Sequence, residues 1–286
     1  MNVFGRALTI SAVAEYGRQT SASATRRLLR TGLLSVLALW TLMPLLVLLV
    51  LSVSRHWYAP ALVPSVWTMG QWRQLIAAAS SQRSALLTSV ALAALTALFS
   101  CVLALPLGQL IAQSGGWPRR FAAAMAFAPV AVPPIALATG LHFTLLTVGL
   151  AGHFGGVLVA HVIPAAGYLT LFFLGAFSAY DHRIEEEART LGATRFAVWR
   201  RITLPMLRAP IADALALGFL ISWAQVPLTL LIGGGLVRTL PIDVFAAIRA
   251  GDDARAASGS ILLIVPALAA IAGVRLAVRR TGVVGL

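Results

Sequence analysis

The chain has 286 residues, of which 59% are hydrophobic and only 11% charged. One soluble core cannot absorb that much apolar surface, so the composition excludes an ordinary globular domain and indicates a polytopic membrane protein. The net charge of +13 comes from 22 basic side chains, all arginine. Sixteen of them lie in residues 1–30, at Arg119 and Arg120, between Arg183 and Arg208, or from Arg275 onward. That is the bias of short cytoplasmic loops, and it argues against a nucleic-acid partner, whose binder would cluster its charge on one face. The single cysteine, Cys101, excludes an internal disulfide and a cysteine metal cluster.

Residues 1–30 carry five arginines and one glutamate and are expected to form a cytoplasmic tail. The uncharged run 31–54 has the length of a span rather than of a signal core, and is the first predicted span. Residues 55–83 hold Trp57, Tyr58, Trp67 and Trp72 and read as an external loop anchored at the headgroup level. A short interfacial helix is predicted around Met69 to Ala78. A helix from about Leu86 to Ala112, bent by Pro106, then ends in a glycine turn. Arg119 and Arg120 are expected in an inner loop.

Residues 121–180 contain no Asp, Glu, Lys or Arg and can supply two spans, joined at the glycine-rich stretch 149–156. The first arm holds Pro129, Pro133 and Pro134. A helix broken this way is tolerated in lipid where the freed carbonyls meet protein or a wet path. Pro133 and Pro134 are therefore candidate wall residues, a simple packing kink being the competing role. His142, His153 and His161 have no neighbouring acid and suit local hydrogen bonds better than a metal site.

A charged stretch over residues 181–207 follows. Ile184, Ala188 and Leu191 share one helical face, Gly192 interrupts, and Thr194 can cap a second helix carrying Phe196, Trp199 and Ile202. The acids Glu185, Glu186 and Glu187 come early and the arginines late, as helix end charges favour. A span is predicted from about Pro210 to Leu231, with Asp213 near the inner surface. Ser222, Trp223 and Gln225 interrupt its apolar run. An amide in lipid needs a partner, so these three are candidate translocation-pathway residues, with helix–helix hydrogen bonding as the alternative. Gly233 to Gly235 are not a phosphate loop, since no Lys-Ser/Thr follows. The last span runs from about Ser260 to Leu276. Six spans leave both termini inside.

Glu186-Glu187-Ala188, Gly192 and Ile202-Thr203-Leu204-Pro205 stand at the separations of a known signature, Glu-Ala-Ala, three residues, Gly, nine residues, Ile-x-Leu-Pro. In this the chain resembles the permeases of binding-protein-dependent ABC importers, the type I transmembrane subunits, with Glu187 where the family has alanine. The outer segment LVRTLPIDVFAAIRAGDDARAA resembles the iron, polyamine, thiamine and oxyanion importer relatives. The resemblance covers about residues 84–280, after a first span and external loop at 31–83. It implies an all-α polytopic fold of six transmembrane helices, a five-helix core and a cytoplasmic two-helix coupling loop.

It further implies coupling to an ATPase through Glu186, Glu187, Ala188, Leu191, Gly192, Phe196, Trp199, Leu204 and Pro205. The implied partners are two cytoplasmic ATPase subunits, a second permease subunit, an extracytoplasmic solute-binding protein and membrane lipid. ATP and Mg are expected on the ATPases, with no cofactor, metal or catalytic residue in this chain, and the expected location is the bacterial inner membrane. A secondary active transporter would need acids at membrane depth, which are scarce here. A non-transporting membrane scaffold is the other class compatible with these spans.

Overall fold

The computed structural model of the protein describes residues 30–280, apart from residues 56, 58–60, 62, 78–79 and 182; the expected N-terminal tail lies almost wholly outside them. Its helices in chain order are α1 (Arg30–Ser52), α2 (Gly70–Ile76), α3 (Ser81–Gln113), α4 (Gly116–Ala131), α5 (Pro134–Thr147), α6 (Phe154–Ser178) and α7 (Arg183–Thr190). They continue as α8 (Arg195–Val198), a π turn (Trp199–Thr203), α9 (Leu204–Met206), α10 (Arg208–Trp223), α11 (Pro227–Gly233), α12 (Leu240–Arg249) and α13 (Asp253–Arg280). A minimal antiparallel ladder pairs β1 (Ser54–Arg55) with β2 (Val66–Trp67) beside α1.

Helices α1, α3, α6 and α13 are each long and apolar enough to cross a membrane. Two bent pairs raise the count to as many as six: α4 with α5, bent by 95°, and the α8–α9 stretch with α10, bent by 66°. The fold is thus an all-α polytopic membrane protein. Its apolar surface, on α1 above all, suits lipid rather than water.

The long pair α3 and α6 forms the centre. Small residues let the backbones approach: a Cβ added at Gly108 would lie 2.5 Å from the Phe173 Cβ. At Gly218 of α10 a Cβ would lie 3.0 Å from the Cα of Ala97. In lipid there is no hydrophobic drive between helices, so such close van der Waals contact does the holding. One core layer joins α3, α5, α6 and α11 through Leu92, Leu145, Val157 and Leu228. A second joins α3, α6 and α10 through Cys101, Leu169, Phe173 and Ala214.

Several boundaries differ from the sequence expectation. Arg119 and Arg120 sit in the first turns of α4 rather than in a loop, because the chain turns at Gly115 and Gly116 and resumes a helix at once. The expected span Pro210–Leu231 is two helices, α10 and α11, with the break at residues 224–226 just before Pro227, which cannot donate to the ladder. Helix α13 begins at Asp253, earlier than Ser260, because Asp252 caps it by accepting from Arg255 N (3.1 Å). A connection within 149–156 and a short helix after Met69 are both present, although α6 already begins at Phe154.

Candidate functional site

The charged stretch folds into the helix–turn–helix that its periodicity predicts. Helix α7 ends at Thr190, and Gly192 takes a left-handed φ of +90°, which L side chains rarely adopt. Thr194 then caps α8, its hydroxyl accepting from Ala197 N at 3.3 Å. Pro205 has no N–H to continue the ladder. The turn before it widens into a π turn, in which Leu204 N donates to the Trp199 carbonyl.

One carboxylate, which no spacing in the sequence marks, ties this stretch together. Glu185 is only 5% exposed. Its Oε1 accepts from the Tyr180 hydroxyl (2.9 Å) and from the Thr203 hydroxyl (2.6 Å), while Arg189 lies 3.5 Å from Oε2. Glu185 therefore links the end of α6 to α7 and to the π turn. Burial, then the hydrogen bond to Glu185, pushes the Tyr180 phenol up to about 12. The sequence signal was present but weak: Glu185 lies beside Ile184, and only its partner Thr203, eighteen residues on, explains its burial.

The residues singled out for coupling divide by exposure. Glu186 and Glu187 point outward, so Glu187, where the family has alanine, is solvated and needs no basic partner. Leu191 is 88% exposed and Phe196 68%, with Gly192 and Trp199 also exposed. Ala188, Leu204 and Pro205 are half-buried against the loop's own frame. Leu191, Phe196 and Trp199 thus form an exposed apolar patch on a charged stretch.

The candidate pathway residues lie elsewhere. Pro133 and Pro134 are exposed at the sharp α4–α5 bend, where Pro134 opens α5. Ser222 and Trp223 are buried at the end of α10, and the Trp223 indole donates to the Leu263 carbonyl of α13 at 3.0 Å. Gln225 is half-buried in the α10–α11 break. His161, 1% exposed, bridges Ser222 Oγ (2.8 Å from Nδ1) and Thr229 Oγ1 (2.9 Å from Nε2). Thr229 donates to the Gln225 carbonyl at 3.0 Å. The consistent tautomer has Nε2–H donating to Thr229 and Nδ1 accepting from Ser222. His161 thus pins the break between α10 and α11 to α6. Among the described residues no group of three or more His, Cys, Asp or Glu gathers for a metal ion.

The site is thus a charged helix–turn–helix set within an all-α polytopic membrane fold. Residues 104–283 match the profile of the family described as binding-protein-dependent transport system inner membrane component. The chain belongs to that family: it is an ABC-importer permease subunit, which forms a translocation path alongside ATPase and solute-binding components. It is similar to the molybdenum transport system permease protein ModB of Mycobacterium tuberculosis, 30% identical over 70% of this chain and 81% of that one. It is also similar to the spermidine/putrescine permease PotC of Escherichia coli K12, 22% identical over 86% of this chain and 92% of that one. Among solved structures, a bacterial ABC transporter involved in import of the acidic polysaccharide alginate shares the fold, with a TM-score of 0.67 at 17% identity over 92% of this chain and 98% of that one. The MetNI methionine transporter gives 0.57 at 18% identity over 70% and 95%.

Proposed function

We propose that the 181–207 loop is the joint through which ATP hydrolysis drives this permease. The observation that carries the reading is the exposed apolar tip, Leu191, Phe196 and Trp199, on a frame held from within by Glu185. The tip seats in a groove of a cytoplasmic ATPase subunit, with Glu186 and Glu187 supplying ion pairs at its rim. Two such ATPases, bound to this chain and to a second permease subunit, bring the two loops together on closing. The spans then switch between inward-facing and outward-facing arrangements.

In this reading α1, α3, α4 with α5, α6, α10 with α11, and α13 make six spans, the last five forming the core, with both termini cytoplasmic in the bacterial inner membrane. Pro133 and Pro134, at the bend, and Gln225, in the α10–α11 break, face the path between the two permeases, while Ser222 and Trp223 hold the break in place. An extracytoplasmic binding protein delivers the solute to the opposite end.

The test is purification of the intact assembly, with its co-purifying subunits and bound solute identified by mass spectrometry. ATPase subunits and a solute are the expected finding; uptake that follows a proton gradient and ignores ATP depletion would overturn the reading. Gly192 checks the joint itself. A Cβ there meets nothing within 4 Å, so Gly192→Val acts through backbone strain of about 1–2 kcal/mol alone. It should weaken ATPase capture while the spans still fold.

A further inference from the structure

Helix α6 leads directly into the coupling loop, and its last turn carries no basic side chain of its own. The carbonyls at such a helix end bear partial negative charge and favour a nearby cation. That cation comes from the start of α4. Arg119 Nη2 donates to Ser178 Oγ at 3.0 Å, and the Ser178 hydroxyl donates in turn to the Leu174 carbonyl at 2.6 Å. Trp117, Pro118, Arg120 and Phe121 are exposed around it, whereas Arg119 is half-buried. We infer, resting on the proposed joint at 181–207, that Arg119 is a positioning residue. It clamps the base of α4 to the end of α6, so that movement of the coupling loop reaches the α4–α5 bend.

Higher up, the same two helices meet through their backbones. A Cβ added at Gly167 would lie 2.6 Å from the Ala126 carbonyl oxygen and 3.1 Å from Val130 Cγ2. Arg119 and Ala126 are about two turns apart, roughly 10 Å along the helix, so α4 is held at two levels. It needs both, because no residue of α4 is fully buried. The lower hold stands where the frame of the loop begins. Phe177, next to Ser178, packs edge-on against Tyr180 with ring centroids 6.3 Å apart, and Tyr180 donates to Glu185. From the other side, a Cβ at Gly108 of α3 would lie 3.0 Å from Leu174 N. The last turns of α6 thus gather α3, α4 and the loop.

What α4 carries is the arm beyond it. The chain bends by 95° between α4 and α5, at Pro133 and Pro134. A shift of the α6 end passes through the clamp into the base of α4, and the bend turns it into movement of α5. Without the clamp, the exposed first turns of α4 can stay with the lipid while α6 moves. Coupling of this kind needs an element with two arrangements that both ends bias, and the inward-facing and outward-facing spans supply them.

The experiment uses the permease assembled with its ATPase subunits in nanodiscs. Cys101 is the single cysteine and is buried, so Thr139→Cys, on the exposed face of α5, adds one reactive thiol. Its rate of labelling by a water-soluble maleimide should differ between the nucleotide-free and the ATP–vanadate-trapped assembly. Arg119→Ala should shrink that difference about fivefold, with ATP turnover and thermal midpoint unchanged. Ser178→Ala should do the same, the double variant should add nothing, and Arg119→Lys should restore most of the difference. A full difference in Arg119→Ala would overturn the assignment, as would loss of ATP turnover or of the thermal midpoint. So would a full difference in Ser178→Ala alone, because Arg119 would then act on a lipid headgroup. If the unaltered assembly captures no ATPase, or labels alike in both states, the joint itself fails and the clamp with it.

Discussion

At the residue scale, Glu185 decides whether the coupling loop has one shape. Glu185→Ala would remove the carboxylate that accepts from the Tyr180 hydroxyl and from the buried Thr203 hydroxyl. Leaving buried groups without an acceptor costs about 1–3 kcal/mol. The loop should loosen locally, measured as faster amide exchange in α7 and the π turn with α3 and α6 unchanged. Glu185→Gln keeps an acceptor oxygen and should lie between. Alkali probes the same contact. The folded pKa of Tyr180 is raised to about 12 from 10.0, so the folded state holds that proton more tightly than the unfolded one. Its contribution is complete below pH 10 and is lost as the pH climbs from 10 to 12. Tyrosinate absorbance should show one late-titrating tyrosine that moves down in Glu185→Gln.

At the element scale, the α3–α6 pair and the α10–α11 break bear different loads. Gly108→Ala puts a methyl where Phe173 already stands. Overpacking of this kind costs about 1–3 kcal/mol and should lower the thermal midpoint in detergent. Gly140→Ala, in open space on α5, should not. The break is held by polar contacts, which are weaker in membranes than their burial suggests. A double-mutant cycle on His161→Ala and Ser222→Ala should give a coupling near 0.6 kcal/mol. These two features also differ in how far the sequence shows them. Spans, the hairpin at 149–156 and the Thr194 cap follow from local patterns of hydrophobicity, glycine and capping. The break at 224–226 was hidden because polar residues there suit an unbroken span as well, and its partner His161 lies 61 residues before Ser222. Glu185 was hidden likewise, since Thr203 stands on a π turn that shifts a 3.6-residue count out of phase. Long-range hydrogen bonds choose their partners in three dimensions, and periodicity carries no trace of them.

At the scale of the whole molecule, two apolar surfaces need covering, and they need different covers. The flanks of α1, α3 and α13 suit lipid, which accepts any apolar side chain. In the proposed reading Leu191 and Phe196 stand on a charged loop outside the spans, where a protein groove shields them. Leu191→Glu and Phe196→Glu therefore separate docking from folding. Both side chains are solvated in the isolated chain, where surface substitutions change stability by about 0.5 kcal/mol or less. Each variant should keep its thermal midpoint yet lose at least tenfold in ATPase-subunit capture, because a charge forced into an apolar groove is desolvated without a partner. Solute uptake should fall in step with capture. Capture lost together with the thermal midpoint would mean that the tip supports the permease fold. Full capture in both variants would move the docking surface to the exposed acids Glu186 and Glu187, whose charge reversal should then abolish it.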